Sequence, residues 1–182
     1  TMSFISCKHF HILPNIIDYI TSILNGSFSV YSTDNPPIID SWNISSTAQT
    51  PSYSIVKSSS SPFISGSLPS GASQALSIKF NTGEVLNTIY TLSQTVILQR
   101  GTRTISFYAC TRSSPYNNVS LSTSLAGTVL ASNISLSGNG FVQYTYTFEA
   151  GSNSQGKYSL SFEFKNTKAS DNSANITLIT IT

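Results

Sequence analysis

Charged residues are scarce in this chain. Of its 182 residues, only 9% are Asp, Glu, Lys or Arg, against roughly 25% in ordinary globular proteins. The surface must therefore consist largely of Ser, Thr, Asn, Gln and Tyr. Such a surface is more typical of a secreted, cell-surface or particle-associated protein than of a cytosolic one. In the crowded cytosol, net charge keeps proteins from associating. The nine basic residues are scattered and the net charge is only +2, so the sequence lacks the basic patch that nucleic-acid binding requires.

Cysteine is also scarce, and long apolar runs are missing. Cys7 and Cys110 are the only cysteines, which excludes a disulfide framework and leaves open one bridge or two free thiols. No apolar stretch reaches the roughly 18 residues of a membrane-spanning helix. The oily N-terminal stretch carries Lys8, His9 and Asp18 in its middle, whereas a secretory signal has a basic start and then a clean apolar run. We therefore expect neither a membrane span nor an ordinary signal peptide.

The groups that usually perform catalysis are few. His9 and His11 are the only histidines, and both precede the region that forms strands, whereas a nucleophile needs a histidine held beside it by the fold. Glycosidases need two carboxylates about 5 to 10 Å apart, and Asp34 and Asp40 in one loop are more typical of solvated side chains. Cys7, His9 and His11 alternate like metal ligands but lack a fourth ligand nearby. We predict that the protein is not an enzyme.

Alternation of apolar and polar residues dominates the chain from residue 27 onward. The stretches with this pattern are SFSVY (27–31), ALSIKF (75–80), TLSQTVIL (91–98), TISFYA (104–109), VSLST (119–123), GTVLASNISL (127–136), VQYTYTF (142–148), YSLSFEF (158–164) and NITLITIT (175–182). A period of two with many β-branched and aromatic residues is typical of half-buried strands. About ten strands joined by turns, without helices between them, predict an all-β jelly-roll sandwich.

The first residues follow a different pattern. After Pro14, a helical stripe is formed by Ile16, Ile17, Ile20, Ile23 and Leu24. This spacing favours a short helix that ends before Gly26. We therefore divide the chain into an N-terminal arm (1–24) and a jelly-roll domain (25–182). Two interpretations of the arm stay open: it docks on a neighbouring subunit, or it packs on its own domain.

Several motifs follow one another in a characteristic order. They are NGSF (25–28), SW (41–42), LPSGASQAL (68–76), LSQTVILQRGTRTISFYACTR (92–112), SLAGTVLA (124–131), FVQYTYTFEA (141–150), KYSLSFEF (157–164) and DNSANITLITI (171–181). This order resembles the galactose-binding-like jelly rolls related to carbohydrate-binding modules, which occur in plant cell-wall, bacterial secreted and large-virus proteins. Ser29 departs from that pattern where a calcium-holding Glu is common, and Arg103 where an aromatic residue is usual. The resemblance implies a sandwich that binds or scaffolds, without catalysis.

Aromatic and planar polar side chains are the groups that hold glycans, by stacking on sugar C–H surfaces and by forking to hydroxyls. The candidate contacts are Trp42, Tyr53, Tyr108, Arg112, Tyr116 and Asn117. The segment TRSSPYNN (111–118) places three of them in one loop after a strand, where binding residues often lie. Alternatives stay open for two residues. Trp42 would also suit the core under the first loop, and Tyr116 would also suit an ordinary turn after Pro115.

A structural calcium ion is a weaker prediction. Its candidate oxygen ligands are Asn25, Asp34 and Asp171. Calcium takes roughly six to eight oxygens, and the chain has only seven acidic residues. We therefore expect no cofactor.

Two functions remain in view. The first is a non-catalytic structural or assembly protein of a particle or surface layer, such as a minor capsid or virion surface component. It would contact other subunits through its N-terminal arm and its sheet faces. The alternative is an extracellular glycan-binding module that acts in surface adhesion. Both functions predict a location on a virion or an extracellular surface.

Overall fold

Ten antiparallel strands form a two-layered sandwich in the computed structural model, which describes residues 23–57, 64–151 and 156–182. The strands are β1 (Asn43–Ser46), β2 (Ser52–Val56), β3 (Ala75–Phe80), β4 (Ile89–Ile97), β5 (Gly101–Thr111), β6 (Val119–Leu125), β7 (Thr128–Ser135), β8 (Val142–Ala150), β9 (Lys157–Asn166) and β10 (Asn172–Ile181). Sheet 1 has the order β1-β4-β9-β6-β7, and sheet 2 has the order β2-β3-β10-β5-β8. The predicted all-β sandwich is confirmed. The predicted helix of the arm falls mostly in residues 1–22, outside the described ranges.

The alternation of each strand places its apolar residues between the sheets. In β9 the inward residues are Tyr158, Leu160, Phe162 and Phe164, and all four are buried. In β5 the predicted inward residues Ile105, Phe107 and Ala109 are buried as well. Phe107 and Phe162 bridge the two sheets, with ring centroids 5.0 Å apart in an edge-to-face arrangement. Burying one such side chain contributes about 1.5–3 kcal/mol, so this interior dominates the stability of the sandwich.

The first predicted strand is not present. Residues 27–31 form a loop in which Phe28 has a φ of 56°, and only Tyr31 makes an isolated bridge, with Ile39. A left-handed φ interrupts the extended backbone that a strand needs, yet it turns the Phe28 ring fully into the core. The short edge strands β1 and β2 were not predicted, because a few residues give too little alternation to recognise.

The strand connections gather at two ends of the sandwich. One end, called the loop end, carries the β1–β2, β3–β4, β5–β6, β7–β8 and β9–β10 connections (47–51, 81–88, 112–118, 136–141 and 167–171). The opposite end, called the opening end, receives residues 23–42 before β1 begins. Within the described ranges, no helix is long and apolar enough to cross a membrane.

The outer faces of the two sheets differ. Residues 64–74 of the β2–β3 connection cover part of sheet 2, and Thr177 Oγ1 donates a hydrogen bond to the Gln74 carbonyl at 2.6 Å. Strand β10 is consequently buried on both faces. Cys110 lies under the same segment as a buried free thiol, and burial raises its pKa to about 12. The outer face of sheet 1 instead presents a row of small hydroxyl side chains across neighbouring strands, formed by Ser93, Ser161 and Ser124.

Candidate functional site

Asn25 organises the opening end. Its side-chain Nδ2 donates to the carbonyls of Val30 at 2.8 Å and Asp40 at 3.0 Å, and its Oδ1 accepts the Val30 N–H at 3.1 Å. The residue has a φ of 52°, a conformation that Asn tolerates better than most residues. Asn25 therefore closes the first loop on itself, which assigns it a structural role.

Trp42 lies in the core at the opening end. Its ring is 5.8 Å from Phe28 and 6.3 Å from Phe162, centroid to centroid. Its Nε1–H donates to the Asn25 carbonyl at 3.1 Å, and only 7% of the residue is exposed. With so little of the residue exposed, the indole has little surface available to stack on a sugar. The core alternative describes Trp42, and its role as a glycan contact is not supported.

The three candidate calcium ligands do not come together. The Gly26 carbonyl, next to Asn25, accepts the Ile179 N–H near the end of β10, whereas Asp171 precedes the beginning of that strand. The ten residues of β10 span roughly 30 Å, so Asn25 and Asp171 cannot share an ion. Asp34 lies in an exposed part of the first loop. In the part of the chain that the structure describes, no three His, Cys, Asp or Glu residues cluster as metal ligands would.

Tyr53 and Tyr108 lie apart from each other and from the β5–β6 connection. Tyr53 is on edge strand β2 opposite Ile78, and it packs against the core; this burial raises the pKa of its phenol. Tyr108 is on the outer face of sheet 2, opposite Thr177. It precedes Arg112 by roughly 13 Å of extended strand. Neither side chain extends the candidate loop directly.

The β5–β6 connection carries Arg112, Tyr116 and Asn117, and the first two are in contact. The Arg112 guanidinium carbon lies 4.0 Å from the centre of the Tyr116 ring, a cation–π distance. Arg112 Nη1 lies 3.6 Å from Asp171 Oδ2, so a residue from the β9–β10 connection joins the group. Asn117 is exposed beside them. One connection at the loop end thus carries an aromatic ring in contact with a guanidinium, and an exposed amide.

Buried amides hold this loop in place. Asn172 is 1% exposed, and its Oδ1 accepts the Asn118 N–H at 3.1 Å. The Asn172 Nδ2 lies 2.8 Å from Asn166 Oδ1 and 2.9 Å from Ser170 Oγ. Asn118 Nδ2 in turn donates to the Pro115 carbonyl at 2.8 Å. These bonds hold the β5–β6 and β9–β10 connections against each other. A loop that is already ordered would lose less conformational entropy on binding a ligand.

A second feature of the loop end was not predicted. A cleft of about 410 Å³ opens between the β1–β2 and β3–β4 connections. Its polar and apolar lining includes Thr47, Gln49, Thr50, Asn81, Glu84 and Val85. Burial raises the pKa of the Glu84 carboxyl, and a hydrogen bond with the Asn81 backbone opposes this effect. The sequence stretch NTGE (81–84) is typical of an ordinary turn, and it gives no indication that Glu84 lines a cleft.

The cleft and the Arg112 loop lie at the same end, where the last residue of β9 contacts the β3–β4 connection and the first residue of the β9–β10 connection contacts the β5–β6 connection. The Asn166 N–H donates to the Thr88 carbonyl, and the Thr167 N–H donates to the Asn118 carbonyl, each at 2.9 Å. Thr88 also lines the cleft. Two separate polar surfaces thus share one end of the sandwich.

No family model matches the chain, and no curated protein matches it. Solved structures do share its fold. An enzymatically active domain of tailspike protein 4 from bacteriophage CBA120 is 15% identical with a TM-score of 0.60, and the match covers 90% of this chain and 21% of that chain. The carbohydrate-binding module TmCBM61, solved with β-1,4-galactotriose, is 14% identical with a TM-score of 0.54 over 79% of this chain and 88% of that chain. A cyclase from Fischerella sp. TAU is 16% identical with a TM-score of 0.55 over 87% and 94%.

These similarities establish the architecture. The resemblance to jelly rolls of the carbohydrate-binding-module type, drawn from the order of motifs, is confirmed at the level of the fold. The chain spans about a fifth of the tailspike protein it matches. A tailspike domain, a sugar-binding module and a cyclase share this sandwich, so the function must be argued from the surface of this chain.

Proposed function

We propose that this domain is a glycan-binding module that uses its β5–β6 connection and acts on an extracellular or virion surface. The observation that carries the proposal is the grouping of Tyr116, Arg112 and Asn117 on one hydrogen-bonded loop. The galactotriose-bound TmCBM61 supports the ligand class, since it shares the fold over 79% of this chain.

The three side chains supply complementary interactions. Tyr116 offers the ring face opposite Arg112, which can pack on sugar C–H groups, and Arg112 offers a planar fork of N–H donors. Asn117 adds an exposed amide that both donates and accepts. Asp171 pairs with the guanidinium at 3.6 Å. A surface with so few charges favours an uncharged glycan over a strongly anionic one.

The proposed role is binding without catalysis. Sugar recognition needs a ring, a fork and an amide held in place, whereas glycoside cleavage needs two carboxyl groups on either side of the bond. The β5–β6 connection supplies no carboxylate of its own, and Asp171 is already paired with Arg112 at 3.6 Å.

A glycan array with the full chain tests this proposal. We expect saturable binding that Tyr116→Ala and Asn117→Ala each weaken by about tenfold, since each removes roughly one productive contact. Tyr108→Ala is the matched control, because it removes a tyrosine from the outer face of sheet 2 and should leave binding unchanged. Equal loss in all three variants, or no binding by the unmodified chain, would refute the assignment.

Assembly remains a second candidate, and strand β8 is the observation that favours it. Within the described ranges β8 pairs only with β5, so its nine residues present an open sheet edge. Glu149 is the only charged residue of that strand, which contains neither Lys nor Pro. Unprotected edges of this kind pair readily with another chain. The N-terminal arm, the other proposed contact, falls mostly outside the described residues.

Sedimentation velocity distinguishes the assembly candidate. We expect the full chain to form a defined oligomer that dissociates in Thr147→Lys, which places a charge on the exposed side of β8. Tyr116→Ala should leave that oligomer intact. A monomer at all concentrations would exclude assembly through β8.

A further inference from the structure

Strand β8 differs from the other strands at the edges of the two sheets. Among the described strands, β1, β2, β7 and β8 each have one partner. β1 and β2 have only four and five residues, and the pairing of β7 shifts register twice and includes Asn133 at a φ of 50°. Short or bulged edges resist pairing with another chain. The nine residues of β8 pair with β5 without a register shift, so the open edge of β8 is long and regular.

The backbone hydrogen bonds of β5 show in which direction its residues point. Thr104 and Thr182, the residue after β10, each donate a backbone N–H to the carbonyl of the other, at 2.8 and 2.9 Å. The Thr111 N–H donates instead to the Ser137 carbonyl, in the connection that leads to β8. Backbone directions alternate along a strand. Even-numbered residues of β5 therefore turn their backbone groups towards β10, and odd-numbered residues turn theirs towards β8.

The register between β5 and β8 then shows which groups of β8 are free. Odd-numbered residues of β5 pair with even-numbered residues of β8, such as Ile105 with Tyr146, so β5 uses the backbone groups of these even-numbered residues. The odd-numbered residues of β8 turn their N–H and C=O groups to the open edge; they are Gln143, Thr145, Thr147 and Glu149. The even-numbered aromatic residues are only partly buried, so the same edge keeps apolar surface that a partner strand can cover.

One antiparallel register pairs all four of these residues with those of a second copy. It places Thr145 opposite the partner's Thr147, and Gln143 opposite the partner's Glu149. A shift to the next hydrogen-bonded register in either direction leaves Glu149 or Gln143 of each copy opposite a residue outside β8. On the inner face, the same register places Tyr146 opposite the partner's Tyr146. The strand is thus complementary to itself in one alignment.

We propose that two copies of this chain pair their β8 strands antiparallel about a two-fold axis at Tyr146, which joins two five-stranded sheets into one continuous sheet. The inference rests on the assembly candidate and deepens it, because it names the partner and the register. The only charged side chain of each strand, Glu149, meets the amide of the partner's Gln143, which can donate to it, and does not meet a like charge. A two-fold interface closes on itself, so the product is a dimer and not a fibre.

Cysteine cross-linking of the full chain tests this register. In a Cys7→Ser background, Thr145→Cys and Thr147→Cys are mixed, allowed to exchange subunits and oxidised. Opposite residues of a hydrogen-bonded pair have Cα atoms about 5.5 Å apart, which a disulfide can bridge, whereas diagonal neighbours are about 7–8 Å apart. We expect about tenfold more disulfide in the mixture, identified by peptide mass, than in either variant alone. Thr104→Cys, one strand further inside sheet 2, is the matched control and should form no disulfide with Thr145→Cys.

Two substitutions of Gln143 test the same register without thiols. Gln143→Lys places a cation opposite the partner's Glu149 and should tighten the dimer by a few fold, whereas Gln143→Glu places two carboxylates opposite each other and should weaken it by a similar factor. Thr147→Lys adds the same cation opposite a threonine and should weaken the dimer. Sedimentation equilibrium measures the three dissociation constants. Weakening by both Gln143 variants would overturn the register.

The remaining outcomes separate this inference from the functions proposed above. A disulfide in Thr145→Cys alone or Thr147→Cys alone would overturn the register and leave assembly through β8 standing. A dimer without any cross-link at β8 would overturn the inference and place assembly on another surface. A monomer at all concentrations would overturn the inference together with the assembly candidate. Glycan binding by the Arg112 loop is measured separately, so none of these results decides it.

Discussion

The two ends of the sandwich differ in how completely their buried polar atoms are paired. At the opening end, Gln94 Oε1 accepts the Leu24 N–H at 3.0 Å, while its Nε2 donates to the carbonyls of Leu24 and Ser41 at 2.8 and 2.9 Å. Each side-chain polar atom of Gln94 is thus paired within the protein. At the loop end, a Glu84 oxygen remains unpaired among the described residues. Among the described residues, the opening end pairs the side chain of Gln94 completely, whereas the loop end leaves one carboxylate oxygen without a partner.

Trp42→Ala should have the largest effect and should act on stability. The substitution leaves a cavity between Phe28 and Phe162 and removes the hydrogen bond to Asn25. Large-to-small changes of buried aromatic residues cost about 3–5 kcal/mol. Urea denaturation measures this loss, and glycan binding should persist wherever the variant is folded. A variant of unchanged stability that no longer binds glycans would instead make Trp42 a ligand contact.

Gly26→Ala should destabilise the same end by a smaller amount. A Cβ atom at this position would overlap the backbone oxygen of Ile179, and overpacking typically costs about 1–3 kcal/mol. Gly151→Ala is the matched control, because nothing lies within 4 Å of the Cβ it would add. Thermal denaturation of the pair provides the comparison. Similar melting temperatures for the two variants would show that the opening end tolerates displacement.

Glu84→Gln should increase stability at the loop end, in contrast to both changes above. Burial raises the pKa of Glu84 in the folded protein, so the unfolded chain holds fewer protons between its ordinary pKa and the raised value. Stability therefore falls as the pH rises through that interval. At neutral pH the glutamine variant should melt higher than the unmodified chain, and the difference should vanish below the ordinary pKa of glutamate. A pH-independent difference would contradict this origin.

Asp171→Asn should have the smallest effect on stability. The ion pair with Arg112 spans 3.6 Å, and its two side chains are 24% and 44% exposed. Exposed ion pairs contribute about 0–1 kcal/mol, so urea denaturation should show a change near the limit of detection. A loss larger than that of Gly26→Ala would mean that Asp171 supports the whole loop end.

The fold was predictable because most strands show the alternation of apolar and polar residues within their own short segment. ALSIKF (75–80) coincides with β3, and the inward residues predicted for β5 are the buried ones. The strand predicted at residues 27–31 was wrong, because the alternation of Phe28 and Val30 does not reveal the left-handed φ of Phe28. Backbone conformation at such a position depends on the long-range contacts of the ring, which sequence alone does not show.

The candidate site was predictable only where its residues are neighbours in sequence. Arg112, Tyr116 and Asn117 share one connection, so their proximity follows from the strand pattern. Asp171 reaches Arg112 from a different connection. The Glu84 cleft forms only when two distant connections meet at the end of the sandwich. A cleft that forms between distant segments in this way cannot be recognised from the sequence of either segment alone.

Because Cys110 is buried, its rate of reaction can measure local opening of the protein. The thiol accepts hydrogen bonds from the Ser65 backbone and from the Asn175 side chain, and with a pKa of about 12 it is almost wholly protonated at neutral pH. Thiolates, and not thiols, react with alkylating reagents. In a Cys7→Ser background, the alkylation rate would therefore measure how often residues 64–74 separate from sheet 2. The opening rate of the covering segment can thus be measured without any ligand.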